Sequence, residues 1–133
     1  MKRLALTMLV LLPLPAVAAD RIEVTRGPDS TVYGSCVPSL RVENGSGEKI
    51  DYLEVILSLE FADGQRRTVE LQSAYREGVL YPIAPGGAAT LRQHLDTSRA
   101  LGVQCSEIRA RTVQQTICEA AGKPCTATVT IRP

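Results

Sequence analysis

Residues 52–61 read Tyr52-Leu53-Glu54-Val55-Ile56-Leu57-Ser58-Leu59-Glu60-Phe61, and five apolar side chains fall on the odd positions. That is the period of a half-buried strand, not of a helix. Asn44-Gly45-Ser46-Gly47 precedes the stretch and Ala62-Asp63-Gly64 follows it. Both are turn signals, so the flanking segments are expected to fold back antiparallel against it.

The neighbours carry the same alternation. Leu40 and Val42 alternate with Arg41 and Glu43; Val69 and Leu71 with Thr68, Glu70 and Gln72; Leu91 and Leu95 with Arg92 and His94; Val129 and Ile131 with Thr128 and Thr130. Ile22-Glu23-Val24-Thr25 predicts a short first strand that ends at Gly27-Pro28-Asp29. Residues 73–78 have no period and read as a loop. Pro82 cannot donate to a ladder, so 79–84 reads as an edge or crossing strand, and Pro85-Gly86-Gly87 makes a corner. Residues 96–102 predict one helical turn, with Asp96 as its cap and Gly102 as its stop. After Ile108 and Ala110 the apolar positions move to Val113 and Ile117. A bulge near Arg111-Thr112 would account for that change of parity. The expected fold is all-β, an antiparallel immunoglobulin or fibronectin-like sandwich of about seven strands, with a small barrel as the alternative.

Met1-Lys2-Arg3, an apolar run over 4–14 and the small residues Ala16-Val17-Ala18-Ala19 read as a secretory signal peptide. Cleavage after Ala19 is preferred and cleavage after Ala18 competes with it. The domains are then 1–19, the leader, and 20–133, a single sandwich with neither lipid anchor nor transmembrane segment. Of 15 basic residues the leader takes Lys2 and Arg3, and 13 remain against 14 acidic ones. Near-neutral charge gives no reason to expect nucleic acid or an anionic membrane as partner.

Cys36, Cys105, Cys118 and Cys125 all lie beyond the leader, and four cysteines in an exported chain read as two disulfides. Three pairings are possible. Cys118 with Cys125 is favoured because the six residues between them suit a turn, which leaves Cys36 with Cys105. No Cys-x-x-Cys clamp supports zinc, and no other cofactor is expected.

The segments 40–70 and 80–95 together, with their Asn-Gly-Ser turn, long strand, Asp-Gly hairpin and Ala-Pro-Gly corner, resemble the bacterial FxLYD-type extracellular domain. The likeness covers about half of the chain beyond the leader. It implies an immunoglobulin-like envelope domain with no assigned chemistry, and residues 105–125 lie outside it.

Candidate sites are few. His94 is the sole histidine, with Asp96 and Ser98 near it in sequence, and one strand end does not bring such groups together as a triad. Glu54 and Glu60 are about 20 Å apart along the strand, too far for a glycosidase pair, and read as a solvated face. Asn44-Gly45-Ser46 fits the glycosylation consensus but is explained by a turn. Tyr52, Tyr75 and Tyr81 are candidate anchors for a protein partner, and Arg109 and Arg111, beside Glu107, could bind a partner's carboxylate. The expected function is non-enzymatic: a periplasmic or secreted protein that grips another protein through a sheet face or a loop, as an inhibitor or immunity protein would. The alternative is a structural subunit joined to its neighbours by strand addition.

Overall fold

The computed structural model describes residues 20–73, 75–76, 79–93 and 100–133. The leader, His94, Asp96 and Ser98 lie outside the described residues.

Twelve strands occur among them: β1 (Arg21–Arg26), β2 (Ser30–Val32), β3 (Ser35–Val37), β4 (Ser39–Asn44), β5 (Tyr52–Phe61), β6 (Arg66–Gln72), β7 (Tyr75–Arg76), β8 (Val79–Leu80), β9 (Ala88–Arg92), β10 (Ile108–Ala120), β11 (Lys123–Pro124) and β12 (Thr128–Arg132). Eight form one sheet in the order β11-β10-β5-β6-β9-β4-β1-β12. The expected seven-stranded pair of sheets is therefore, by its ladders, one continuous sheet. Its two four-stranded halves meet at a single pair, Gln72 with Arg92. The sheet curls there, so that both halves turn their apolar faces onto one core.

The long central strand shows why the sequence folds this way. Leu53, Val55, Leu57, Leu59 and Phe61 are all buried, with Val69 and Leu71 from β6 beside them. Leu40 and Val42 of β4, Ile22 and Val24 of β1 and Leu91 of β9 face them from the other half. Burying one such side chain contributes about 1.5–3 kcal/mol, so the alternation alone fixes the register. At Gly64, φ is 85°, where a β-carbon is disfavoured; its N–H closes the turn on the Phe61 carbonyl at 2.9 Å.

Both expected disulfides are present, Cys36 with Cys105 and Cys118 with Cys125. On loop entropy the first stabilises by about 4.4 kcal/mol and the second by about 2.5. No helix of the described residues is long and apolar enough to cross a membrane.

Two local expectations change. Within the segment read as a loop over 73–78, two residues are paired as a short strand: Tyr75 opposes Leu80 and Arg76 opposes Val79. The bulge expected at Arg111-Thr112 is instead two bulges, with Arg109 and Gln114 as the extra residues in the pairing of β10 with β5.

Candidate functional site

Directly paired residues share a face, so the register of β10 against β5 decides what each side offers. Arg111 opposes Leu59, Val113 opposes Leu57 and Thr116 opposes Val55, all on the inner face. Ile117 opposes Glu54 and Gln115 opposes Ile56 on the outer one. Two sequence readings change as a result. Arg111 is not on the surface: its side chain is 4% exposed and its guanidinium is committed to Asp29. Arg109, at its bulge, is exposed.

Glu54 is not solvated either. It is 7% exposed, with Ile117 across the ladder from it. Its carboxylate accepts hydrogen bonds from the Tyr52 hydroxyl and from Gln72 Nε2, the latter at 3.2 Å. Burial, then the Glu54 hydrogen bond and charge, then Glu70 and Glu119, push the Tyr52 phenol well above its ordinary value. A half-buried phenol held this way is a packing group on the sheet face, not a free anchor. Tyr75 lies in β7, and its side chain is outside the described residues. Tyr81 is 51% exposed.

Asn44 is a structural knot. It is buried, its Nδ2 donates to the carbonyls of Glu48 (2.7 Å), Ile83 (3.1 Å) and Ala84 (3.2 Å), and its Oδ1 accepts from the Ser46 N–H and hydroxyl. The turn reading of Asn44-Gly45-Ser46 holds, because the amide nitrogen points into the fold.

A pocket of about 370 Å³ opens where β6 parts from β9, lined by Arg67, Glu70, Gln72, Gln93 and Leu101 among others. Arg67 closes one side by donating to the Ala100 and Leu101 carbonyls at 3.3 and 3.2 Å. Asp29 lies within 4.8 Å of the sulfurs of Cys36 and Cys105. Those sulfurs are bonded to one another, so they supply no thiolate for a metal.

The free backbone is the most distinctive surface. After two residues of pairing with β10, at Glu119 and Ala120, the chain leaves β11 and crosses to the far side of the sheet, where β12 runs parallel to β1. Glu48 pins the crossing: its carboxylate accepts from the Thr126 hydroxyl at 2.7 Å and from the Thr126 and Ala127 N–H groups at 3.0 and 3.2 Å. Positions 108–117 of β10 therefore have no strand on their outer edge among the described residues. The sequence marks the two segments, 107–117 and 126–131, as strands. It had no signal for their separation, because the signal is a carboxylate 78 residues away.

No protein-family model and no curated protein sequence matches the chain. Among solved structures, IrmA from Escherichia coli is similar at a TM-score of 0.56 and 13% identity, over 83% of this chain and 89% of that one. At that identity the likeness extends to the fold alone: the curled β arrangement of this chain is one that a protein of Escherichia coli also adopts.

Proposed function

We propose that the protein is an exported, non-enzymatic binding protein of the bacterial envelope, which receives an extended segment of a partner protein along the open edge of β10. A periplasmic inhibitor or immunity protein is the narrower form of this reading. The leader-like residues 1–19, the two disulfides and the resemblance to FxLYD-type extracellular domains support export. On this reading the two halves of the sheet are the layers of an immunoglobulin-like sandwich, joined at the single pair of Gln72 with Arg92.

The observation that carries it is the ladder edge at 108–117, open among the described residues. Unpaired backbone N–H and C=O groups in a row are a template for another strand, and proteins ordinarily cover them. Here the cover is withdrawn by the crossing at Thr126 and Ala127. The bulges at Arg109 and Gln114 break the edge into short regular runs, which disfavours indiscriminate pairing and selects a partner of matching shape.

Thr116 is the place to test it. The Cys118 carbonyl accepts from the Cys125 N–H, so residue 118 turns its backbone groups toward β11. No bulge lies between 116 and 118, and Thr116 two residues earlier turns its own to the same, open side. Thr116→Pro removes a donor from that edge and leaves the β5 ladder intact. The wild-type chain is expected to retain an envelope protein that the variant, melting within a few degrees of it, does not. Equal retention by both would sink the edge as the site.

The same edge supports a second reading, a structural subunit that adds strands to its own kind. Light scattering separates the two, since a mass that stays monomeric from micromolar to millimolar concentration argues against self-assembly.

A further inference from the structure

The hairpin of β2 and β3 ends in a two-residue turn, because Val32 opposes Ser35 and only Tyr33 and Gly34 lie between them. Their φ values are 49° and 76°, the left-handed pair that a tight hairpin of this kind demands. Glycine adopts that conformation freely and asparagine or aspartate tolerates it. A tyrosine is held there against its preference.

Nothing among the described residues repays that placement. Tyr33 is 98% exposed, and Val32 beside it is exposed as well. The base of the hairpin, in contrast, is firmly fixed. Cys36 is bonded to Cys105, the Cys36 N–H donates to the Val103 carbonyl at 2.7 Å, and the Gly102 N–H donates to Ser35 Oγ at 2.9 Å. An aromatic ring thus stands free on a stiff support, in a backbone conformation that its own side chain disfavours. Strain kept at an exposed position is a mark of function, because the fold gains nothing from it.

We propose that Tyr33, with Val32 at its side, is the anchor of a protein interface and inserts its ring into an uncharged, apolar pocket on the partner. This rests on the reading of the protein as a binding protein, but not on the edge of β10. Residues 30–35 are Ser-Thr-Val-Tyr-Gly-Ser, without a charge. That composition suits an apolar socket with a polar rim. A lipid surface would call for cationic residues around a larger apolar face. A ring presented on a rigid loop loses little freedom on binding, which is why tyrosine dominates such anchors.

The test begins with a photo-crosslinking benzoylphenylalanine at position 33 of the full chain, expressed in the cells that make it. The expected product is an adduct with one other envelope protein. That protein, purified, should bind Tyr33→Phe within about threefold of wild type and Tyr33→Ala at least about 30-fold more weakly. Tyr33→Gly should weaken binding likewise and yet raise the melting temperature by roughly 3–6 °C, because it relieves the turn. Adducts only with a second copy of this chain, only with lipid, or with nothing overturn the proposal, as does undiminished binding by Tyr33→Ala. An unchanged melting temperature for Tyr33→Gly removes the strain on which it stands. A partner that binds Tyr33→Ala normally but Thr116→Pro weakly defeats the anchor alone; the reverse pattern defeats the edge alone.

Discussion

Arg111 and Asp29 stand 82 residues apart in the chain and are joined by two hydrogen bonds, of 3.1 and 2.5 Å, with side chains only 4% and 11% exposed. The pair ties the inner face of β10 to the connection that follows β1, and so bolts one half of the curled sheet to the other. Asp29 also accepts from Arg26 at 3.0 Å and from the Ser39 N–H at 3.3 Å, which satisfies its carboxylate throughout.

Breaking this pair leaves a guanidinium buried without its counter-charge. Asp29→Asn is expected to cost about 3 kcal/mol in urea denaturation at pH 7. Burial alone would raise the Asp29 carboxyl, but the hydrogen bonds from Arg111 and Arg26 outweigh it and hold it below its ordinary 3.8. Glu48 is held below its ordinary 4.5 by the Thr126 hydroxyl and the Ala127 and Thr126 N–H groups. A carboxyl depressed in the folded state stabilises above its unfolded value and loses that contribution as pH falls through its folded one. Wild-type stability should therefore hold above about pH 5 and decline below about pH 4. The Asp29→Asn, Glu48→Gln double variant should show a shallower acid decline. Parallel pH curves for the two proteins would refute this.

Asn44 invites a comparison of two substitutions. Its amide serves three carbonyls, of Glu48, Ile83 and Ala84, and thereby holds the 44–48 turn against the 83–87 corner. The Asn44 N–H to Gly87 and Gly86 N–H to Asn44 backbone bonds close the same junction. Asn44→Ala leaves buried acceptors without a donor, at a cost of about 2–3 kcal/mol. Asn44→Asp should be worse, since it replaces the donor by an anion facing three oxygens. If chemical denaturation ranks the aspartate variant above the alanine one, the amide is not the group that holds the corner.

The two halves of the chain were unequally legible, and β10 shows why. Along β5 every odd residue is apolar and every one is buried, so period alone locates the core. Along β10, Val113 and Ile117 share a parity yet lie on opposite faces, because Gln114 adds one unpaired residue between them. Arg111 points inward although its type suggests solvent, and Glu54 is covered although its position suggests it too. In both cases the deciding group comes from elsewhere: Asp29 for the arginine, Ile117 and Gln72 for the glutamate. The Tyr33 turn was missed because tyrosine is not a residue that such a turn prefers.

That account makes deletions in β10 unequal. Removing Gln114 leaves Val113 opposite Leu57 and Gln115 opposite Ile56, so every side chain keeps its face and only the local twist relaxes. The cost should be about 1 kcal/mol. Removing Thr112 instead lets the bulge dissolve at the expense of register, with Val113 turned outward and the Gln114 amide turned into the core. Lost burial and an unsatisfied amide together should cost about 3 kcal/mol or more. Melting temperatures that fall equally for the two deletions would contradict the assignment of faces.

Tyr52 predicts the behaviour in alkali. Its hydroxyl donates to Glu54, which also holds Gln72, and ionising it would set a phenolate against that carboxylate in a half-buried site. Burial first, and then Glu54, Glu70 and Glu119, raise the phenol above its ordinary 10.0. The unfolded chain thus gives up this proton at a pH where the folded chain keeps it. A raised value of this kind stabilises below the unfolded pKa and is lost as pH climbs past it, so wild-type stability should decline above about pH 10. Tyr52→Phe cannot ionise, and its alkaline limb should be flatter even though it loses about 1 kcal/mol at neutral pH with the hydrogen bond. An ultraviolet titration of the four tyrosines should show one phenol that ionises only together with unfolding. If Tyr52→Phe instead declines in alkali as steeply as wild type, the coupling of Tyr52 to the Glu54 side of the sheet is not what sets that limb.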